Sequence, residues 1–210
     1  RCHDPGTAAR MRAAIEQAIA GRDTLGGIVE VAALHVPAGL GSYAQADRRL
    51  DARLAGALMS IPAVKGVEFG LGFAATERSG TAAQDAIVPA GDTLTRPSNR
   101  AGGLEGGITN GAPLLARIAV KPIATTLMPQ HSVDLATGLP AETRYERSDW
   151  CQVPRAVPIA EAMLAIVLAD ALLETLGGDS LADLHPRFQS LRQPRTSQLP
   201  MLGTPQTFWP

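Results

Sequence analysis

The sequence predicts an α+β sandwich, a fold in which helices and sheets pack in layers without regular alternation. Three segments have the apolar pattern of helices, and others are apolar and β-branched like strands. Their order does not follow the strand–helix–strand repeat of doubly wound folds. Apolar residues make up 45% of the 210 residues and aromatic residues only 4%, so the core must consist of Ala, Val, Leu and Ile.

The helices are predicted by capping residues and by spacing. Asp4 and Pro5 have the pattern of an N-cap and a first helical residue, and residues 8–20 carry apolar side chains at fourfold spacing. A second helix, residues 46–61, has one leucine stripe formed by Leu50, Leu54 and Leu58. A third helix begins at Pro158 and is apolar nearly all round, so we expect it to lie between layers.

The strands are predicted in four segments. Residues 27–36 are β-branched and apolar, as in a strand covered on both faces, and residues 64–73 form a glycine-punctuated strand. Residues 113–126 read as a strand that Pro122 interrupts, which favours an edge position or a bulge just after Lys121. Residues 143–149 are also strand-like, whereas residues 76–96 predict a long loop or hairpin excursion.

Charge and cysteine content exclude several classes of partner. The 19 basic and 20 acidic residues give a net charge of −1, and no Lys/Arg run predicts contact with nucleic acid. The longest apolar run, residues 162–169, is far shorter than the roughly 20 residues that span a bilayer. Cys2 and Cys151 lack metal-ligand spacing. We therefore expect a soluble cytoplasmic protein with no metal, membrane or nucleic-acid partner.

Glycine is concentrated in residues 98–111, SNRAGGLEGGITNG, which contain five glycines. The segment matches neither the GxxxxGK[ST] phosphate loop nor the GxGxxG dinucleotide motif. Glycine clusters arise where turns need positive φ or where a ligand comes very close to the backbone. Considered by itself, the segment leaves both explanations open.

Three charged residues are candidates for an anion site. Lys121 lies in an apolar strand, so its ammonium either extends to solvent or meets an anion in a cleft. Arg147 and Asp149 are two residues apart, which in a strand places them on one face at roughly 7 Å. They form either an exposed pair or an anion clamp beside a carboxylate that moves a proton. The histidines show no HxxxH or HExxH pattern, and no GxSxG motif is present.

Four stretches, taken together and in this order, resemble the chorismate synthase family. They are MSIPAVKGVEFGLGF (59–73), SNRAGGLEGGITNG (98–111), KPIATT (121–126) and RSDWCQVPRAVPIAEAM (147–163). The opening RCHDP and TLGGIVEVAALHVPAGLGS are also similar to that family, so the resemblance covers residues 1–178. The Pro-rich residues 179–210 are expected to form a C-terminal arm with little regular structure.

The resemblance implies a β-α-β sandwich with helices between antiparallel sheets, of which this chain is a partial domain. It also implies a lyase of the shikimate pathway, which supplies aromatic amino acid biosynthesis. The enzyme converts 5-enolpyruvylshikimate 3-phosphate to chorismate by 1,4-anti elimination of phosphate. The family needs reduced FMN and forms homotetramers. NADPH-dependent reduction of the flavin by the same chain has no support, because no nicotinamide motif is present.

The resemblance also implies site residues. Asp149 matches the family's catalytic aspartate, proposed to act on a ring nitrogen of the reduced flavin. The flavin-binding positions, carried over motif by motif, are Pro62, Ala63, Gly106, Lys121, Pro122, Ile123, Ala124, Thr125 and Arg147. This favours close ligand approach as the reason for the glycine cluster, with Lys121 and Arg147 meeting anions.

Two departures from the family pattern affect this interpretation. Pro62 stands where many members have Asn, which removes a side-chain amide and a backbone donor. The family's N-terminal half, with its catalytic histidines, has no counterpart here, and we expect this chain alone to be inactive. The alternative function is a non-catalytic module that binds flavin or anions, or supports assembly, on the same scaffold.

Overall fold

The computed structural model describes residues 2–146, 149–191 and 195–198. The chain forms two compact units, each built from three separate segments. Unit 1 comprises Arg1–Ala32, Arg53–Glu68 and Leu115–Val167, and unit 2 comprises Ala33–Ala52, Phe69–Leu114 and Leu168–Pro210. The predicted division into residues 1–178 and 179–210 stays a prediction.

The main sheet has three strands in the order β1, β7, β2. Strand β1 is Gly27–Ala33, β2 is Val64–Phe69 and β7 is Leu114–Val120. Along β7, Leu114, Ala116, Ile118 and Val120 are buried, and the residues between them are half-buried or exposed. This alternation shows that the sheet has one well-covered face.

Two predictions about these strands are wrong. Strand β1 buries Val29 and Val31, whereas Ile28 is 64% exposed, so one face is covered rather than both. Strand β7 is central rather than an edge strand, and it ends at Val120. Pro122 therefore lies beyond the ladder, where its missing N–H removes no inter-strand hydrogen bond.

The first two helices follow the predicted pattern. Helix α1, Pro5–Ala20, begins as expected, with the Asp4 carboxylate accepting a hydrogen bond from Thr7 N, but none of its residues is buried. A short 3₁₀ turn, Ala46–Arg48, precedes helix α2, Leu50–Met59. The leucine stripe of α2 is fully buried, which confirms it as core.

Unit 2 contains short elements around the predicted loops. A 3₁₀ turn, Gly72–Glu77, leads to the short helix α3, Gly80–Ala83. Two antiparallel hairpins follow, formed by β3 (Val88–Ala90) with β4 (Thr93–Thr95) and by β5 (Leu104–Glu105) with β6 (Ile108–Thr109). The excursion expected over residues 76–96 is thus confirmed as a hairpin.

A hairpin lies just before residues 143–149, the segment for which a strand was expected. Strands β8 (His131–Val133) and β9 (Pro140–Glu142) pair antiparallel, and residues 143–146 have no regular structure. Arg147 and Ser148 lie outside the described residues. The strand prediction is therefore wrong for residues 143–146, because the β8–β9 register ends at Glu142.

Helix α4, Val153–Leu176, begins five residues earlier than predicted. Pro158 lies inside the helix, in its second turn, where the missing N–H removes one backbone hydrogen bond. Ala156, Ala160 and Leu164 are buried, but Ile166 is 62% exposed, so the helix is covered on one side and not all round. By length and composition alone α4 is apolar enough to cross a membrane, a property that core helices of soluble proteins share.

The Pro-rich arm was predicted without regular structure, but residues Leu181–Leu191 form helix α5. The signal that predicts it is a capping box. Asp183 N donates to Ser180 Oγ at 3.2 Å, and Ser180 Oγ donates to the Asp183 carboxylate at 2.7 Å. A further 3₁₀ turn, Thr196–Gln198, follows, and the rest of the arm lies outside the described residues.

Leu54→Ala should lower the free energy of unfolding by about 3 kcal/mol, because Leu54 is fully buried and its truncation leaves a cavity. The matched control is Leu135→Ala, since Leu135 is 93% exposed and its loss should change stability by less than about 0.5 kcal/mol. Urea unfolding measures both. Equal effects would show that the leucine stripe of α2 is not core.

Candidate functional site

Two of the predicted flavin-binding segments meet in unit 1. The Lys121 backbone N–H donates to the Ala63 carbonyl at 2.9 Å, although the two residues are far apart in sequence. Lys121 directly follows the last residue of β7, and Ala63 directly precedes the first residue of β2. Because these strands are neighbours in the sheet, the pair closes the same end of the ladder.

The segment from Lys121 to Thr125 is fixed through its backbone. Thr24 Oγ1 donates to the Ile123 carbonyl at 2.6 Å, and Gln152 Nε2 donates to the Lys121 carbonyl at 3.2 Å. Gly26 packs against the residue just before this segment, so closely that a Cβ on Gly26 would lie 2.5 Å from the Val120 carbonyl oxygen. Four of its five side chains are nevertheless exposed, those of Lys121, Pro122, Ala124 and Thr125. The segment is thus a rigid backbone with side chains open to a ligand.

Ala63 has a backbone conformation that alanine rarely adopts. Its φ is +70°, in the left-handed region, where a Cβ costs roughly 1–2 kcal/mol. Such conformations persist where surrounding bonds hold them, and they are concentrated at functional sites. The bond from Lys121 N supplies that restraint here. The preceding Pro62 is exposed.

Asp149 is paired with a residue that the sequence analysis missed. Arg155 Nη1 lies 2.5 Å from Asp149 Oδ2, and the two side chains are 73% and 47% exposed, respectively. Arg147, the expected partner, lies outside the described residues, so the expected pair of Arg147 and Asp149 stays a prediction. Arg155 falls in the first turn of α4, which begins at Val153, and the predicted start at Pro158 left it outside the helix.

The glycine segment lies in unit 2, and its glycines differ in how much space surrounds them. All five have positive φ, which explains why the segment needs glycine for its turns. A Cβ on Gly103 would lie 2.7 Å from the Pro113 carbonyl oxygen, and one on Gly107 would lie 2.7 Å from that of Ser42. Gly106, the predicted flavin-binding glycine, has no atom within 4 Å of its Cβ position. Gly106 alone of these three leaves open space beside the backbone.

The glycine segment is also held by side chains at both ends. Asn99 Nδ2 donates to the Pro113 carbonyl at 2.7 Å, and Gly103 N donates to Asn99 Oδ1 at 2.8 Å. Thr109 Oγ1 donates to the Pro37 carbonyl at 2.6 Å and accepts from Leu40 N at 2.9 Å. Hydrogen bonds therefore fix both ends of the loop that carries Gly106.

Two buried donors near this segment lack acceptors. Arg96 Nη2 donates to Glu105 Oε2 at 2.6 Å, and Ala112 N donates to Asn110 Oδ1 at 2.9 Å. Arg96 Nε and Asn110 Nδ2, however, are buried without a hydrogen-bond partner among the residues that the structure describes. Buried donors of this kind require an acceptor, which a water molecule or a bound group would supply.

Asp85 is the buried carboxylate of this region and was not singled out by the sequence. Its Oδ1 accepts from Ser98 Oγ at 2.5 Å and from Arg100 N at 2.9 Å, and its Oδ2 accepts from Ala101 N at 2.9 Å. Burial by itself raises the pKa of Asp85, but these three hydrogen bonds and the Arg100 charge outweigh it, so the pKa lies below its usual value.

Metal chemistry finds no support in the described part of the chain. Residues 2–146, 149–191 and 195–198 contain no group of three or more His, Cys, Asp or Glu side chains that could hold a metal ion.

Comparison with known proteins identifies the family. Residues 1–173 match the family model of chorismate synthase. The chain belongs to the chorismate synthase family. It is 55% identical over 183 residues to the chorismate synthase of Thermobifida fusca (strain YX), covering 87% of this chain and 47% of that relative. It is 54% identical over 193 residues to that of Moorella thermoacetica, covering 91% and 50%, respectively.

The solved structures agree with the fold prediction. A crystal structure of chorismate synthase superposes with a TM-score of 0.74 at 44% sequence identity and covers 89% of this chain and 48% of that one. The mixture of helices and sheets confirms the α+β class. The chain spans about half the length of the curated chorismate synthases it matches.

Ala63→Gly should raise the free energy of unfolding by up to about 1 kcal/mol, because glycine removes the Cβ penalty at φ +70° but adds freedom to the unfolded chain. Ala119→Gly is the matched control, since Ala119 lies in the extended strand β7. Replacing alanine by glycine there should lower the free energy of unfolding by about 0.5–1 kcal/mol. Chemical unfolding gives both values. Destabilisation of the same size at both positions would refute backbone strain at Ala63.

Asp85 should make stability depend on pH in the acid range. An unfolded aspartate has a pKa near 3.9 and that of folded Asp85 is lower, so its stabilising contribution is complete well above pH 4 and is lost as pH falls through the folded value. Asp85→Asn should therefore be less stable at pH 6 and lose less stability between pH 6 and pH 3. Urea unfolding at the two pH values tests this, and equal losses would contradict it.

Proposed function

We propose that this chain works as part of a chorismate synthase that uses reduced FMN to convert 5-enolpyruvylshikimate 3-phosphate to chorismate. The observation that carries the proposal is the match of residues 1–173 to this family, together with about 55% identity to a curated member. The hydrogen bond between Lys121 and Ala63 supports it, because it joins two of the predicted flavin-binding segments.

The family resemblance assigns flavin-binding positions in each unit. In unit 1 they are Pro62, Ala63, the five residues 121–125 and Arg147. In unit 2, Gly106 would let a ring or a phosphate approach the bare backbone, because its Cβ side is open. Lys121 is exposed and keeps three ammonium donors for an anion.

The reaction is an elimination without net redox change. The C–O bond to phosphate breaks and its electron pair leaves with the phosphate, a ring C–H bond breaks with loss of a proton, and the ring gains one double bond. Reduced FMN would supply electron density to the substrate transiently. The contribution of this chain is to bind the anionic groups and to hold Asp149 where it moves a proton.

Asp149 would exchange a proton at its carboxylate with a ring nitrogen of the flavin. Arg155 contacts Oδ2 and orients the carboxylate, so that one oxygen is engaged with the guanidinium. An exposed pair of this kind contributes at most about 1 kcal/mol to stability. We therefore assign the pair to orientation of the carboxylate and not to folding.

The proposed assembly and location follow the family. We propose a homotetramer in the cytoplasm, with a small-molecule substrate and without nucleic-acid or membrane partners. The net charge of −1 and the scarcity of aromatic residues support the absence of nucleic-acid binding. We propose that the flavin is supplied in its reduced form; the 210 residues contain no GxGxxG nicotinamide motif.

The decisive experiment measures anaerobic phosphate release from 5-enolpyruvylshikimate 3-phosphate with photoreduced FMN. One protein is this chain alone. The other, the complemented protein, is this chain joined to the segment of the Thermobifida fusca enzyme that the chain does not cover. We expect turnover from the complemented protein only. If both proteins fold but neither turns over, the chain is a non-catalytic module on the family scaffold.

Asp149→Ala in the complemented protein should lower kcat by at least about 100-fold, the usual contribution of a proton-transferring group. Its Tm should stay close to that of the unaltered protein, because Asp149 is exposed. The matched control is Asp134→Ala, an exposed aspartate that caps the turn between β8 and β9 and should retain full turnover. Unchanged turnover in Asp149→Ala would refute the proton-transfer role.

A further inference from the structure

Asp85 stands out among the charged residues because its carboxylate is more than nine-tenths buried yet takes no part in the proposed chemistry. It lies between α3 and β3, in the excursion for which the sequence indicated no role. Removing a carboxylate from water is costly unless hydrogen bonds replace the water. Here three donors do so, and all three belong to residues 98–101 at the start of the glycine segment.

The bonds around Asp85 continue into the glycine segment. Residue 100 is held from a second side as well, since Leu71 N donates to the Arg100 carbonyl at 2.8 Å and Arg100 Nη1 donates to the Gln84 carbonyl at 2.6 Å. Asn99 then binds Gly103 N, and the Gly103 carbonyl accepts from Asn110 N at 3.0 Å. Asp85 is thus linked to both ends of the loop that carries Gly106 through these hydrogen bonds and the backbone of residues 98–101.

Ordering a glycine-rich loop of this kind has an entropic cost. Glycine loses more backbone freedom on folding than any other residue, and the left-handed turns at Gly102 and Gly103 follow directly after the residues that Asp85 binds. A ligand that binds a disordered loop must order it, and affinity falls by that cost. A loop fixed in advance binds more tightly.

We propose that Asp85 is a positioning residue, which fixes the glycine segment in the conformation that binds the flavin. The inference rests on the proposed function, because it takes FMN as the ligand of Gly106. Asp85 touches neither flavin nor substrate in this role. It acts through Ser98, Arg100 and Ala101.

The test variant is Asp85→Asn in the complemented protein. Asparagine keeps one oxygen for Ser98 and Arg100 but turns an NH₂ group towards Ala101 N–H, where two donors then face each other. The Kd for reduced FMN should rise about tenfold, as expected for the loss of one charged hydrogen bond. Saturating FMN should restore kcat, since the chemical groups are unchanged.

The matched control is Asp92→Asn. Asp92 also lies in unit 2 and also accepts three hydrogen bonds, from Thr196 Oγ1, Ser197 N and Ser197 Oγ, but it binds residues outside the glycine segment. Its replacement should leave the Kd for FMN within about twofold of the original value. Ser98→Ala, which removes one donor and keeps the carboxylate, should give an intermediate Kd.

Amide hydrogen exchange separates a positioning role from a merely structural one. In Asp85→Asn without flavin, the amides of Arg100 and Ala101 should exchange faster while the amides of β7 stay protected. Unchanged FMN affinity in a folded Asp85→Asn protein would overturn the inference. Failure of the unaltered complemented protein to release phosphate would instead overturn the proposed function, and the exchange data would still report on the loop.

Discussion

The pairing of β7 between β1 and β2 is the constraint on which both candidate regions depend. The alternating buried residues of β7 fix its register, because a slip by one residue would exchange its buried and exposed faces. In sequence, the glycine segment ends just before this strand and the Lys121 segment begins just after it. The register of one strand therefore fixes where the glycine segment ends and where the Lys121 segment begins.

The glycine cluster illustrates how one composition serves two purposes. Gly103 and Gly107 are required by the protein's own backbone, which leaves no space for a Cβ at either position. Gly106 has positive φ but open space beside it, so packing does not explain its bare backbone. Tight turns thus account for all five glycines, and close packing accounts in addition for Gly103 and Gly107.

Burial also separates two residue classes that look alike in the sequence. Leu54 and Ile166 both lie in apolar helical stripes, yet Leu54 is fully buried and Ile166 is 62% exposed. Likewise, aspartates are scattered through the chain, and Asp85 stands out only through the donors that surround it. Hydropathy describes the environment that a side chain favours, whereas tertiary packing determines whether that side chain is buried or exposed.

The sequence by itself determined the α+β class, the Asp4 cap, the leucine stripe of α2 and the family, because these depend on local spacing or on motifs in a fixed order. It failed where the outcome depends on contacts between distant residues. Strand β7 lies in the centre of the sheet, and α4 and β1 are covered on one side only. Only the tertiary structure could place Ala63 against Lys121 or Asp85 under the glycine segment, since neither contact leaves any periodic trace in the chain.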